Sequence, residues 1–435
     1  MKFLLAFTIA LSVLSPASIL ADPDPARIEQ LISAGNDQVI QWRRWFHQNP
    51  ELSNREFKTS AKIAGLLSDM GFEVHTGIAN TGVVALLEGA KPGPRVALRA
   101  DIDGLPVTEK TGLPFASTVT TDYNGTEVGV MHACGHDGHI AMLLGAAQTL
   151  VALKDELAGS VLFIFQPAEE GAPEGEEGGA ELMLKEGLFE QYQPDVVFGL
   201  HAGLNTPHDV IAVRKGPAMA AVDVFRVIVK GRQTHGSRPW DGIDPVVTAS
   251  QIVLGLQTIA SRQLDVTTAP SIITVGKISG GIRHNIIPDE VELWGTIRSF
   301  DPEMRKDIHR RIQHTAENIA VAAGAVADVT FDYSYPVTFN HEDLFDQMLP
   351  TLQRVSGDRS VITPNLITGA EDFSYFARQV PGLYFYLGVV PEGVDPADAP
   401  GNHSPLFDVD ESVLQTGVRA YTHLTVDYMA QASGR

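Results

Sequence analysis

The chain has a single cysteine, Cys134, among 435 residues, so it cannot close a disulfide within itself. That thiol is either buried and inert or has a chemical task. Cations are also scarce: 32 Lys and Arg stand against 53 Asp and Glu, for a net charge of −21. Phosphate backbones need cationic surface, and the sequence offers neither a basic patch nor an amphipathic cationic helix. Nucleic acid and membrane surfaces are therefore not expected partners. Beyond the first twenty residues no apolar run is long enough to span a bilayer. No internal repeat appears. The one biased stretch is a glycine-rich acidic segment from Glu169 to Ala180.

What is present describes a globular protein with a substantial core, since 44% of residues are hydrophobic and 20% charged. The length suggests two or three domains. Lys2 is followed by an apolar run from Phe3 to Val13 and by small residues up to Ala21. This predicts a signal peptide over 1–21 and places the mature protein in the periplasm or outside the cell.

From residue 26 helical and strand patterns alternate. Helices are predicted over Ile28–Asn49, Phe57–Met70 and His139–Leu153, and strands over Thr81–Glu88, Arg95–Arg99, Val161–Phe165 and Val196–Leu200. Such alternation predicts an α/β domain with a mostly parallel sheet. The texture changes at Gly216-Pro217. Strands over Val222–Lys230, Ser271–Ile278, Ile287–Arg298 and Ala327–Tyr333, with helices over Asp244–Ser261 and Pro302–Ala323, give β-α-β-β-α-β, the ferredoxin-like order. After Tyr335-Pro336 the α/β texture returns, with a late strand over Phe385–Val390. The expected organisation is one domain, 22–216 and 334–435, interrupted by a second over 217–333.

The polar motifs of the larger domain follow or border its predicted strands, where an open α/β sheet binds ligands. They are Asp101 and Asp103 in RADIDG, Glu169 and Glu170 in QPAEEG, His201, and His403 in GNHSP. HACGHDGH, holding His132, Cys134, His136 and His139, leads into an apolar helix. Thiolate, imidazole and carboxylate together suit borderline divalent ions: zinc, manganese, cobalt or nickel. Cys134 and His136 lie two apart on a glycine-containing loop, which can turn both inward. His132 and His139 suit supporting roles better than ligation. The adjacent Glu169 and Glu170 could serve one metal and one water, or simply continue the acidic stretch.

The stretches RADIDGLP, HACGHDGHIAMLLGAA, FQPAEEG, HGSRPWDGIDP, HNIIPDEVELWGTIRS, GAEDFSYF and GNHSPLF resemble the M20 metallopeptidase family. The similarity is to its amidohydrolase branch of hippurate hydrolases, N-acyl amino acid deacylases and indole-acetyl amino acid hydrolases. It implies a centre of two divalent metal ions held by Cys134, His136, Glu170, His201 and His403. Glu169 would be the general base and Asp103 would orient a ligand, while Asp101 sits where related peptidases have a ligand histidine. His235, Asn285 and Arg298, from a lid and dimerisation domain over 217–333, would touch the substrate's carbonyl and carboxylate. A homodimer or higher homo-oligomer through the lid domain is implied, with His235 acting across protomers or within one chain.

The expected activity is a metallo-amidohydrolase that releases a free amino acid from an N-acyl amino acid. A dipeptidase or carboxypeptidase on the same scaffold is the nearest alternative, although no acidic residue can be singled out to recognise a free α-ammonium group. A non-catalytic small-molecule binding module is the alternative of another class, and the complete ligand set with Glu169 argues against it. The chain departs from the family pattern at Gly236, Ser237 and Trp240, where many members have alanines and a second histidine. Trp240 could pack within the lid, and Arg298 could form a surface ion pair.

Overall fold

The computed structural model describes residues 23–203, 205–357 and 359–432; the expected signal peptide lies outside these residues. Seven strands form the larger sheet, in the order Glu73–Ile78, Gly82–Glu88, Ala158–Gln166, Lys91–Asp101, Val196–Gly203, Gly382–Gly388, Ile211–Val213. The central four are mutually parallel, and the margins pair antiparallel. Their apolar runs are continuous because both faces are covered. Val161, Phe163 and Phe165 point into one core, and Leu162 and Ile164 into the core on the other face.

The helix His136–Ala152 is buried on almost every side, which explains why its sequence has no polar face. It lies against the helices Pro25–Gln48 and Leu414–Ala432, so the first and last described helices close over the same face of the sheet.

The second sheet is antiparallel, in the order Ser271–Gly280, Glu290–Ser299, Ala221–Lys230, Val326–Tyr333. With the helices Pro245–Thr258 and Pro302–Ala322 it has the ferredoxin-like connectivity. Each helix starts at an Asp-Pro pair: Asp244 accepts from the Val246 and Val247 amides, and Asp301 from that of Met304. Along Ala221–Lys230 buried and open positions alternate, since helices cover one face only. Ile252, Ile308 and Ile312 are fully buried there, each worth about 1.5–3 kcal/mol of transfer free energy. Gly295 is required, because a Cβ would stand 2.2 Å from the Phe225 ring.

Some elements differ from their predicted extents. The strand expected over Ile287–Arg298 is divided, with Ile286–Ile287 pairing instead with Thr234–His235 in a short ribbon. The helix expected to reach Ser261 is α-helical to Thr258 and continues as a π-helical turn over Ile259–Gln263. No helix among the described residues is long and apolar enough to cross a membrane.

Candidate metal centre

Because the central strands are parallel, their carboxyl ends share one edge, and the polar motifs converge there. Asp101 ends one strand, in register with Gln166 at the end of its neighbour. Glu169 and Glu170 follow Gln166 after Ala168, which holds a left-handed φ of 52°. His201 lies within its strand rather than after it, as expected from sequence, and pairs with Tyr386. Cys134 and His136 flank Gly135, whose φ of 94° turns the chain into the helix. A Cβ there would stand 2.8 Å from that of Ala202. His403 also has a left-handed φ, 66°, and its amide donates to the Ala133 carbonyl at 2.7 Å. Such conformations in non-glycine residues cost free energy and cluster at functional sites.

Two ligand groups form around one sulfur. Cys134, His136 and His201 present atoms within 4.8 Å of one another, and so do Cys134, Glu170 and His403. The Cys134 Sγ lies 3.5 Å from His201 Nε2, and Glu170 Oε1 lies 3.0 Å from His403 Nε2. His136 Nδ1 faces the Asp103 carbonyl at 2.9 Å and its Oδ1 at 3.2 Å, which leaves Nε2 buried and without a hydrogen-bond partner. An imidazole fixed on one nitrogen and orphaned on the other is prepared to bind a metal.

The electrostatics agree. Burial opposes charge on His136, yet Asp101 and Asp103 outweigh it and push its pKa up to about 10. Burial, Glu371 and Glu170 hold the Glu169 carboxyl well above the usual range. The protein has concentrated negative charge that cations would neutralise, so the donor set fits two divalent ions.

The supporting histidines are resolved by their bonds. His139 Nδ1 meets Asp101 Oδ1 at 2.6 Å while Nε2 accepts from the Ala202 amide at 2.8 Å, so both nitrogens are engaged. His132 is buried with both ring nitrogens unpartnered, and burial lowers its pKa to about 4, which makes it neutral. Asp103 also accepts from Ser53 Oγ at 2.7 Å and from the Glu170 amide at 3.1 Å, tying two ligand segments together.

Two acids in this neighbourhood were not singled out from sequence, Glu371 and Asp372 of GAEDFSYF. Both are buried and meet Arg99 at 2.9 Å. Arg99 also donates to Asp101 at 2.7 Å and to Gln166 at 2.8 Å. The quoted motif was the available signal; the partner it serves lies far away in the chain.

A cleft of about 770 Å³ opens over the cluster, lined among others by Cys134, Glu169, Glu170, His201, Tyr335 and His403. Arg298 lines it too. It makes no ion pair among the described residues, and burial alone lowers its pKa. The surface ion pair is thus absent. His235 and Asn285 are not brought to the cleft. They neighbour each other on the short ribbon, where the Gly236 amide donates to the Asn285 carbonyl at 2.8 Å and exposed His235 accepts from the Ser237 amide at 3.0 Å. Trp240 is 74% exposed, so it does not pack within its own domain.

This arrangement defines a metal-dependent hydrolase. The sequence from 97 to 427 matches the model of peptidase family M20/M25/M40, and the chain belongs to that family. It is 42% identical over 400 residues to thermostable carboxypeptidase 2 of Saccharolobus solfataricus, covering 90% of this chain and 95% of that one. It is 38% identical over 387 residues to the N-acetyl-L-cysteine deacetylase of Bacillus subtilis, covering 88% and 86%. The crystal structure of the Bacillus subtilis YxeP protein, a dinuclear metal binding peptidase from the M20 family, superposes with a TM-score of 0.77 at 32% identity. It covers 92% of this chain and 99% of that one.

Proposed function

We propose that the protein hydrolyses the amide bond of N-acyl amino acids, releasing a carboxylate and a free amino acid. The observation that carries this reading is Arg298, a half-buried cation with no ion pair among the described residues, in the same cleft as the metal cluster. Such a group suits the free carboxylate of an amino acid whose amide lies over the metals.

Cys134, His136 and His201 would hold one ion, and Cys134, Glu170 and His403 the other. Bound there, the ions would acidify a water and polarise the scissile carbonyl. Glu169, buried beside the cluster, takes the proton of the attacking water and returns it to the leaving nitrogen. Burial and the neighbouring carboxylates raise its proton affinity, and cations bound beside it would bring it back towards the range a base needs. Asp103 holds His136 with Nε2 facing inward.

His235 and Asn285 would complete a site in a second protomer, because their ribbon lies away from the cleft of their own chain. Mixing inactive His235→Ala with inactive Glu169→Gln protein under subunit exchange tests this. Activity should reappear in mixed dimers, and its absence despite exchange removes the trans assignment.

A carboxypeptidase reading is favoured by the name of the Saccharolobus solfataricus relative, and differs in what occupies the acyl side. A panel of N-acyl amino acids and dipeptides sharing one C-terminal residue separates the two. Faster release from the N-acyl compounds is expected, and release from peptides alone overturns the amidohydrolase reading. With the N-terminal segment read as a signal peptide, the reaction takes place outside the cytoplasm.

A further inference from the structure

The helix Pro25–Gln48 supplies no candidate ligand, yet it carries a fully buried arginine whose partners belong to both ligand-bearing loops. Arg43 Nε donates to Asp137 Oδ2 at 2.8 Å, and Asp137 directly follows His136. Arg43 Nη2 donates to Asp408 Oδ1 at 2.6 Å, and Nη1 to Glu411 Oε1 at 3.3 Å, in the segment that follows His403. Asp137 accepts a second bond from His47 Nδ1 at 2.9 Å, so its position is fixed from one helix by two cationic side chains.

The loops touch elsewhere only through backbone, amide and apolar contacts. Asn402 Nδ2 lies 3.3 Å from the Cys134 carbonyl, and Phe407 and Val409 lie near Gly135. Apolar contacts leave angular freedom; a planar guanidinium bonded at both ends does not.

We infer that Arg43 is a positioning residue for the metal pair, setting the separation of the two ions by clamping the Cys134–His136 loop to the His403 loop. The inference rests on the two-metal reading. Removing the clamp leaves Cys134, His136 and His201 on neighbouring elements of the sheet edge, while the His403 segment keeps its backbone bond to Ala133 and the Arg44–Glu411 pair but loses its direct tie to Asp137. The ion held by Glu170 and His403 is therefore the one released. A lysine offers a point charge and cannot bridge Asp137 and Asp408 as the fork does.

The test dialyses the cobalt-exchanged enzyme against graded cobalt–chelator buffers, reading cobalt per chain and the thiolate-to-cobalt absorption. Wild type should hold two ions. In Arg43→Met the second ion should be lost at a free cobalt concentration about 10–100-fold higher. The thiolate band should persist on the first ion, and Arg43→Lys should give no rescue. Removing Arg43 leaves the buried Asp137 carboxylate with His47 in place of two cationic partners and could unfold the chain. Asp408→Ala, at a side chain 39% exposed, removes the acceptor at the other end more gently and should release the same ion. Wild-type affinity for both ions in Asp408→Ala, or loss of both together in a variant whose circular dichroism stays folded, overturns the inference. Fewer than two ions in wild type overturns the two-metal reading instead.

Discussion

Replacing Arg298 with methionine removes a charge and retains most of a side chain's length. The position lies on the strand Glu290–Ser299, opposite Val222 and Ile272, so a methionine has apolar neighbours and the sheet should be undisturbed. Arg298 makes no ion pair among the described residues, and burial lowers its pKa. A bound carboxylate would therefore be its first full partner, and no internal ion pair must break to make the bond. Hydrogen bonds to charged groups are worth about 1.5–3 kcal/mol, which converts to a loss of roughly 10- to 150-fold in kcat/KM. Because the side chain is only half-buried and screened by solvent, the lower part of that range is expected. The assay compares an N-acyl amino acid with its C-terminal amide, which lacks the charge. Wild type should prefer the acid, and Arg298→Met should lose most of that preference through KM. Equal losses on both substrates would refute the carboxylate assignment, since the defect would then be independent of the group it is said to bind.

Glu169→Gln should keep both metals and lose 10²-fold or more of the rate, whereas Glu170→Gln should lose metal as well; metal analysis beside turnover separates them, and equal metal loss reverses the pair. Cys134→Ser should abolish metal-dependent turnover while the circular dichroism stays folded, because the sulfur belongs to both ligand groups; full activity would sink the two-metal reading. His47 supplies a pH prediction. Burial alone would lower its pKa, but Asp137 and Glu109 outweigh it and raise it to about 9. A folded value above the unfolded value near 6.5 means stability fully present below that pH and lost as pH rises through 9, on the order of 3 kcal/mol. Tm measured from pH 6 to 10 at saturating metal should fall more steeply for wild type than for His47→Gln, and parallel curves would refute it.

The β-α-β-β-α-β segment was legible because its helices are amphipathic and its sheet has one covered face, so both periodicities reach the sequence. The central strands were legible for the opposite reason, as short runs buried on both faces. The margins were not. Glu73–Ile78 is largely exposed and Ile211–Val213 is three residues long, so neither leaves a pattern. The candidate ligands were readable because chemistry restricts their residue types. Glu371 and Asp372 were not assigned, because their importance comes from Arg99, 273 residues from Asp372, and no local rule reports that pairing. His235 and Asn285 were readable only by resemblance, since the chain's own cleft does not include them.

The order in which ribosomes deliver this chain bears on the metal centre. Cys134, His136, Glu170 and His201 emerge in the first half, but the strand beside His201, Gly382–Gly388, and His403 itself arrive only after the whole second sheet. Arg43 waits longer still, since its bond to Glu411 spans 368 residues. Long-range closure of this kind is slow and leaves partly assembled states exposed. A chain truncated before Gly382 would therefore lack His403 and with it a complete second ligand group. The last helix, Leu414–Ala432, closes against the first, so completing the second ligand group and covering the sheet both depend on segments from opposite ends of the described chain.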